Sequence, residues 1–153
     1  MKEKSEKNHM ELIDEIKDCK CLENSYSDTS STFSRRIPKK IQSEKIFLTS
    51  KERKKPQESK DCNYLCSYHS VSIDKINSQN YEEMKLHYQA VLQVTPFKIG
   101  STSEFLVFKL KKEAGKVKPT PNLGNSFHYS FFKSEKFSIQ DIVEVTRIKF
   151  RDV

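Results

Sequence analysis

The sequence predicts an α+β fold: a small, mostly antiparallel sheet of three to four strands in the C-terminal part, preceded by a largely disordered, basic N-terminal region. Three observations lead there. Of the sixteen Phe and Tyr residues in the 153-residue chain, thirteen follow residue 60, and only Tyr26, Phe33 and Phe47 precede it. The clearest period-two alternation of apolar side chains lies in that later part. The composition, 35% hydrophobic against 32% charged, is thin for a core built from the whole length. The expected organisation is a short amphipathic helix or tail over residues 1–20, a Ser/Thr-rich and basic linker over 21–60, and a small α+β domain over 61–153.

The first element rests on Asn8 and Glu11, which have the spacing of a capping box and would open a helix from about residue 9 to 20. Leu12, Ile16 and Cys19 then fall on one narrow stripe. A helix this short needs a partner surface to persist in water. "CLENSYSDTSSTFS" supplies Ser, Thr, Asp and Asn with little to bury, and Pro38 and Pro56 interrupt regular structure in the basic stretch after it.

In the later part, "SIDKINSQNYEEMK" is polar with few breakers and is expected to be a short helix starting near Ser72. "LHYQAVLQV", residues 86–94, alternates over nine positions and predicts a first strand. "EFLVFKLKK" predicts its hairpin partner, with Leu106, Phe108 and Leu110 on one face. "EAGKVKPTPNLGN" reads as loop from its two prolines and two glycines. "SFHYSFFK" predicts a third strand. In "FSIQDIVEVTRIKF" Ser138 and Asp141 fit a capping box, but the β-branched run from Ile142 to Ile148 favours a strand.

Charge is distributed as unevenly as the aromatics. The net charge is +7, and residues 33–60, with ten Lys or Arg against three Glu, account for all of it. Residues 1–32 hold five basic and eight acidic side chains, and residues 61–153 hold thirteen and ten. Arg35, Arg36, Lys39 and Lys40 form one cluster, and Lys51, Arg53, Lys54 and Lys55 a second. Two such clusters on an extended spacer resemble a bipartite nuclear-import signal, which implies an import carrier as partner and a protein of the nucleus and also of the cytoplasm. The same cations would neutralise DNA or RNA phosphates by counterion release.

Several classes of activity have no signature. The three glycines form no phosphate-cradling loop, and no metalloprotease or hydrolase motif is present. The opening "MKEKSEKNHM" carries charge without an apolar run, and no window reaches the roughly 18–20 apolar residues of a membrane span, so a soluble intracellular protein without membrane contact is expected. In that compartment Cys19, Cys21, Cys62 and Cys66 are expected as thiols or metal ligands rather than disulfides. No cofactor is called for by any motif. One alternative remains: Cys62, Cys66 and His69 with one distant cysteine would suffice for a tetrahedral zinc site.

Two further patterns concern partners. Arg147-Ile148-Lys149-Phe150 resembles the short docking motif of protein phosphatase-1 regulators, which implies binding as an added edge strand with Ile148 and Phe150 as anchors. A core-facing strand would bury those same two side chains. Aromatic strands also invite base stacking, with His128 and Phe132 on an open face. The expected function is a non-enzymatic nuclear accessory or scaffold protein, with a basic arm for import and nonspecific nucleic-acid contact and a C-terminal protein-interaction module. A phosphatase-docking regulator and a small zinc-binding protein are the alternatives.

Overall fold

The computed structural model describes residues 7–37, 45–76, 86, 104–121 and 127–149. Among these residues are the strands β1 (Thr32–Ile37), β2 (Val71–Ile76), β3 (Glu104–Leu110), β4 (Gly115–Pro119), β5 (His128–Lys133) and β6 (Ile142–Lys149) and the helix α1 (Cys62–Tyr68). The strands form one antiparallel sheet in the order β4-β5-β2-β1-β3-β6. The fold is therefore mainly β and spans the chain, which corrects the α+β expectation of a three- to four-stranded C-terminal sheet after a disordered arm.

The largest correction is β1. It comes from the stretch expected to be an unfolded linker, yet it pairs with β2 on one side and β3 on the other. The reason is in the alternation "TFSRRI". Phe33 and Ile37 point to one face, and Phe33 is completely buried there against the rings of Phe108 and Tyr129. Phe47, the other early Phe, covers the same face. Its ring meets Phe108 at 5.1 Å, Phe137 at 5.5 Å and Phe131 at 6.3 Å, all edge-on. Val71, Ile73, Leu106, Leu110 and Val117 complete this core. Even Tyr26 is used, because its backbone exchanges two hydrogen bonds with Val117 and caps the outer edge of β4.

The other elements follow local rules in part. Asn8 and Glu11 do form the expected capping box, but it opens two single turns of 3-10 helix, His9–Leu12 and Asp14–Ile16, separated by an extended Ile13. Asn8 also donates to the Phe132 carbonyl at 2.8 Å, so the cap ties this segment to β5. Met10, Ile16 and Cys21 pack with Leu65 of α1 on Phe132, whereas Leu12, placed on the expected stripe, is exposed. β2 replaces the helix expected near Ser72, since Val71 and Ile73 alternate with Ser72 and Asp74.

β4 replaces part of the expected loop. Its glycine and proline stand at the two ends, and Val117 between them fills the core. Gly115 has φ +145, and an added Cβ would lie 2.3 Å from the Phe132 carbonyl oxygen, so the hairpin closes only with glycine there. β5 and β6 are the strands expected, and the Ser138–Asp141 capping box is present as a single turn leading into β6. Residues 86–94 lie outside the described residues apart from Leu86.

Two disulfides, Cys19–Cys62 and Cys21–Cys66, bind the N-terminal segment to α1. Cys62 and Cys66 stand one turn apart on α1 and Cys19 and Cys21 two residues apart, so both bonds form side by side. They close chains of 43 and 45 residues. The chain-entropy estimate is about 4 kcal/mol for the first closure and about 2.5 kcal/mol for the second, which then closes only a short ring. Removing either bond alone (Cys19→Ala with Cys62→Ala, or Cys21→Ala with Cys66→Ala) should cost about 2–3 kcal/mol by urea unfolding. Removing both should cost about 6–7 kcal/mol, more than the two single losses added.

Candidate functional site

The basic cluster at residues 51–55 is built on a folded turn. Thr49 and Glu52 close it reciprocally: the Thr49 amide donates to Glu52 Oε1 at 2.9 Å and the Glu52 amide to Thr49 Oγ1 at 3.1 Å. The amides of Arg53, Lys54 and Lys55 donate to the carbonyls of Thr49, Lys51 and Ser50, and the Lys51 amide to the Tyr68 carbonyl. Lys54 takes φ +61, a left-handed conformation that ends the turn. Every backbone donor from Lys51 to Lys55 is thus engaged, while the side chains of Lys51, Arg53, Lys54 and Lys55 are exposed.

Two tyrosines of α1 hold the chain leaving this turn. The Tyr68 hydroxyl donates to the Lys55 carbonyl, the Tyr64 hydroxyl donates to the Pro56 carbonyl, and the Glu58 amide donates to the Tyr64 hydroxyl. Their rings stack at 5.6 Å. From β5, Lys133 donates to Glu52 Oε1 and to the Phe47 carbonyl. Glu52 is partly buried, which opposes ionisation, but the hydrogen bonds from Lys133 and the Thr49 amide outweigh burial and hold its carboxyl below the usual range. The acid inside the cluster is therefore matched by Lys133, and the four exposed cations face no carboxylate from within the turn.

The first cluster behaves differently. Arg35 lies on the core face of β1, where β1 and β2 cease to pair after Ser34 and Asp74. Its guanidinium donates to the Ile46 carbonyl at 2.5 Å, the Ser72 carbonyl at 2.6 Å and the Leu48 carbonyl at 3.4 Å. It fills the gap between strands and fastens the segment that carries Phe47. Burial pushes its pKa down to about 10, with Arg53 adding to the effect and Asp74 opposing it, so it stays charged at neutral pH. Arg36 is exposed on the opposite face, in register with Phe105. Lys39 and Lys40 lie outside the described residues.

Cys62 and Cys66 are in disulfides, contrary to the expected thiols or ligands, and no described cysteine is free. His69 caps α1, buried, with Nε2 2.9 Å from Glu15 Oε1. Among the described residues no three His, Cys, Asp or Glu side chains are grouped to hold a metal. Arg147 and Ile148 are in β6, paired with Leu106 and Phe105 of β3. A bulge at Val145 turns Glu144 and Arg147 to one side, where they form an ion pair at 3.1 Å. Phe150 lies outside the described residues. Of the rings considered for base stacking, Phe132 is buried under the N-terminal segment, and His128 Nδ1 lies 2.8 Å from Thr120 Oγ1.

Sequence reasoning found the cations but not what orders them. T-x-x-E at Thr49–Glu52 is visible as a capping-box spacing, and Tyr64 and Tyr68 share the one-turn spacing of Cys62 and Cys66. Lys133 and Arg35 carried no local signal. Comparison of the chain with protein-family models, with characterised proteins and with solved structures returned no match.

Two outcomes are expected. Arg35→Met should cost about 3–4 kcal/mol in urea unfolding, because three carbonyls lose a charged donor, and Arg35→Lys should restore less than half, since an ammonium lacks the fork that spans them. Stability should also fall as the solution is acidified. Burial lowers the pKa of His9 and His128 below the ordinary 6.5, with Glu52 opposing it at His9 and the Thr120 carbonyl at His128. The unfolded chain therefore takes up these protons first, and stability is lost as pH falls from about 7 toward 5. Glu15, lowered by its hydrogen bond from His69, and Glu52 add a second loss as pH falls through the carboxylate range. His128→Gln should flatten the upper part of the melting-temperature profile and leave the lower part in place.

Proposed function

We propose that the chain is a non-enzymatic binding module that engages an anionic polymer through the turn at Lys51, Arg53, Lys54 and Lys55. The observation that carries this reading is the ordered backbone under four exposed cations. Long cationic side chains on an unfolded arm would sacrifice backbone as well as side-chain freedom on binding. Here the backbone is already held by Thr49, Glu52, Tyr64, Tyr68 and Lys133, so the loss at binding is confined to side chains.

The disulfides direct the proposal to an oxidising compartment, because such bonds persist there and are rare where glutathione keeps thiols reduced. That choice takes the place of the nuclear setting suggested by the basic pairs. An import carrier would also have to compete for Arg35 with three backbone carbonyls that hold the sheet together.

The test is binding of the oxidised full chain to three labelled polyanions, heparin, single-stranded DNA and polyphosphate, across a salt series. At least one should bind with a log-log salt slope set by no more than about four cations. A variant carrying Lys51→Gln, Arg53→Gln, Lys54→Asn and Lys55→Gln should lose that binding at an unchanged melting temperature. Asn is chosen at position 54 because it tolerates the left-handed backbone. No binding to any of the three, or equal binding by the variant, would remove this function.

A further inference from the structure

We infer that the polymer recognised by the Lys51–Lys55 turn is a sulfated polysaccharide. This rests on the anionic-polymer reading above and narrows it by two independent observations.

The first concerns aromatic rings. Proteins that hold single-stranded nucleic acid set aromatic faces beside their cations, because each base stacked contributes about 1–3 kcal/mol. The aromatic rings hydrogen-bonded to the chain leaving this turn are those of Tyr64 and Tyr68. They stack on each other, Tyr68 is 7% exposed, and both hydroxyls are bonded to the backbone of residues 55–58. The two exposed rings among the described residues are elsewhere. Tyr26 lies along the outer edge of β4, and Phe127 precedes β5, at the opposite end of that strand from Lys133, which reaches the turn. Phe132 is buried. The turn thus presents charge without a surface for bases. It also lacks the helix or two-stranded ribbon that enters a major groove. A ligand made of closely spaced anions on a non-aromatic backbone meets what is offered, and a sulfated glycan is such a ligand.

The second concerns compartment. The same two disulfides that anchor α1, and through Tyr64 and Tyr68 the turn, belong to an oxidising environment. Sulfated glycans are the abundant polyanions of cell surfaces and extracellular matrices, whereas nucleic acids are kept in reducing compartments. The chemistry of the turn and the chemistry of its anchor therefore select the same partner.

The experiment is competition against a fluorescent heparin octasaccharide bound to the oxidised full chain. The competitors are unlabelled heparin, chemically desulfated heparin and a single-stranded oligonucleotide of matched charge. Unlabelled heparin should displace the probe, and desulfated heparin should fail at about 100-fold greater concentration. The oligonucleotide should need about tenfold more than heparin. The neutralised variant described above should release the probe at all salt concentrations, and an unchanged melting temperature keeps that result apart from unfolding. An oligonucleotide that competes as well as heparin would overturn the inference in favour of nucleic acid while leaving the polyanion function standing. Desulfated heparin competing equally would overturn it as well. If heparin and the oligonucleotide both fail to bind, the inference falls, and the broader function stands only on binding of polyphosphate.

Discussion

Arg35 stands where two strands separate, and much of the fold depends on what its guanidinium does there. β1 runs between β2 and β3, but its pairing with β2 ends after Ser34. An open wedge between strands would leave carbonyls in a half-buried space without donors, at a cost of about 1–3 kcal/mol for each one unsatisfied. One planar fork satisfies three of them and brings in the segment that contains Phe47. Phe47 then covers Phe108, Phe131 and Phe137, and so joins β3, β5 and the approach to β6. A charged side chain in a sheet core would ordinarily count against that sheet. Here it makes the central strand and the core cover interdependent.

The second organising constraint is covalent. α1 has seven residues, too short to persist by propensity alone. It is held by the two disulfides and, on the same face, by Leu65 packed against Phe132. The helix in turn presents Tyr64 and Tyr68 to the backbone of residues 55–58. Rigidity passes from the disulfides to the helix and from the helix to the basic turn. The net charge of the chain originates in residues 33–60, yet the fold divides that segment into two kinds of cation. Arg35 serves the core, and Lys51, Arg53, Lys54 and Lys55 face solvent.

The proposed recognition by this turn rests on how little would have to be ordered when a ligand arrived. The left-handed Lys54 and the Thr49–Glu52 closure set the direction in which the four side chains leave the backbone. Lys133 matches the one acid among them. Interactions between exposed charges are screened within about 8–10 Å at ordinary ionic strength, so the cations act as a cluster only because the turn keeps them close in sequence and in space.

Local chemistry was legible wherever neighbours in sequence decide the structure. The capping boxes at Asn8 and Ser138, the alternation of β3 and β5, the β-branched run of β6 and the location of the charge could all be read directly. The assignment of residues 21–60 to a linker failed because it asked whether three aromatics could make a core alone. Phe33 and Phe47 instead complete a core whose other half comes from residues 71–142, and Tyr26 pairs through its backbone with Val117. β4 and the pairing of the cysteines were hidden for the same reason, since Val117 and Cys19 find their partners across long stretches of chain. The sequence by itself determined β3, β5, β6 and the location of the cations, through side-chain period and charge. Only the tertiary structure decided that β1 is central, that Arg35 is structural and that the turn at Lys51–Lys55 is anchored to α1 and β5, because each depends on hydrogen bonds or covalent bonds between residues distant along the chain.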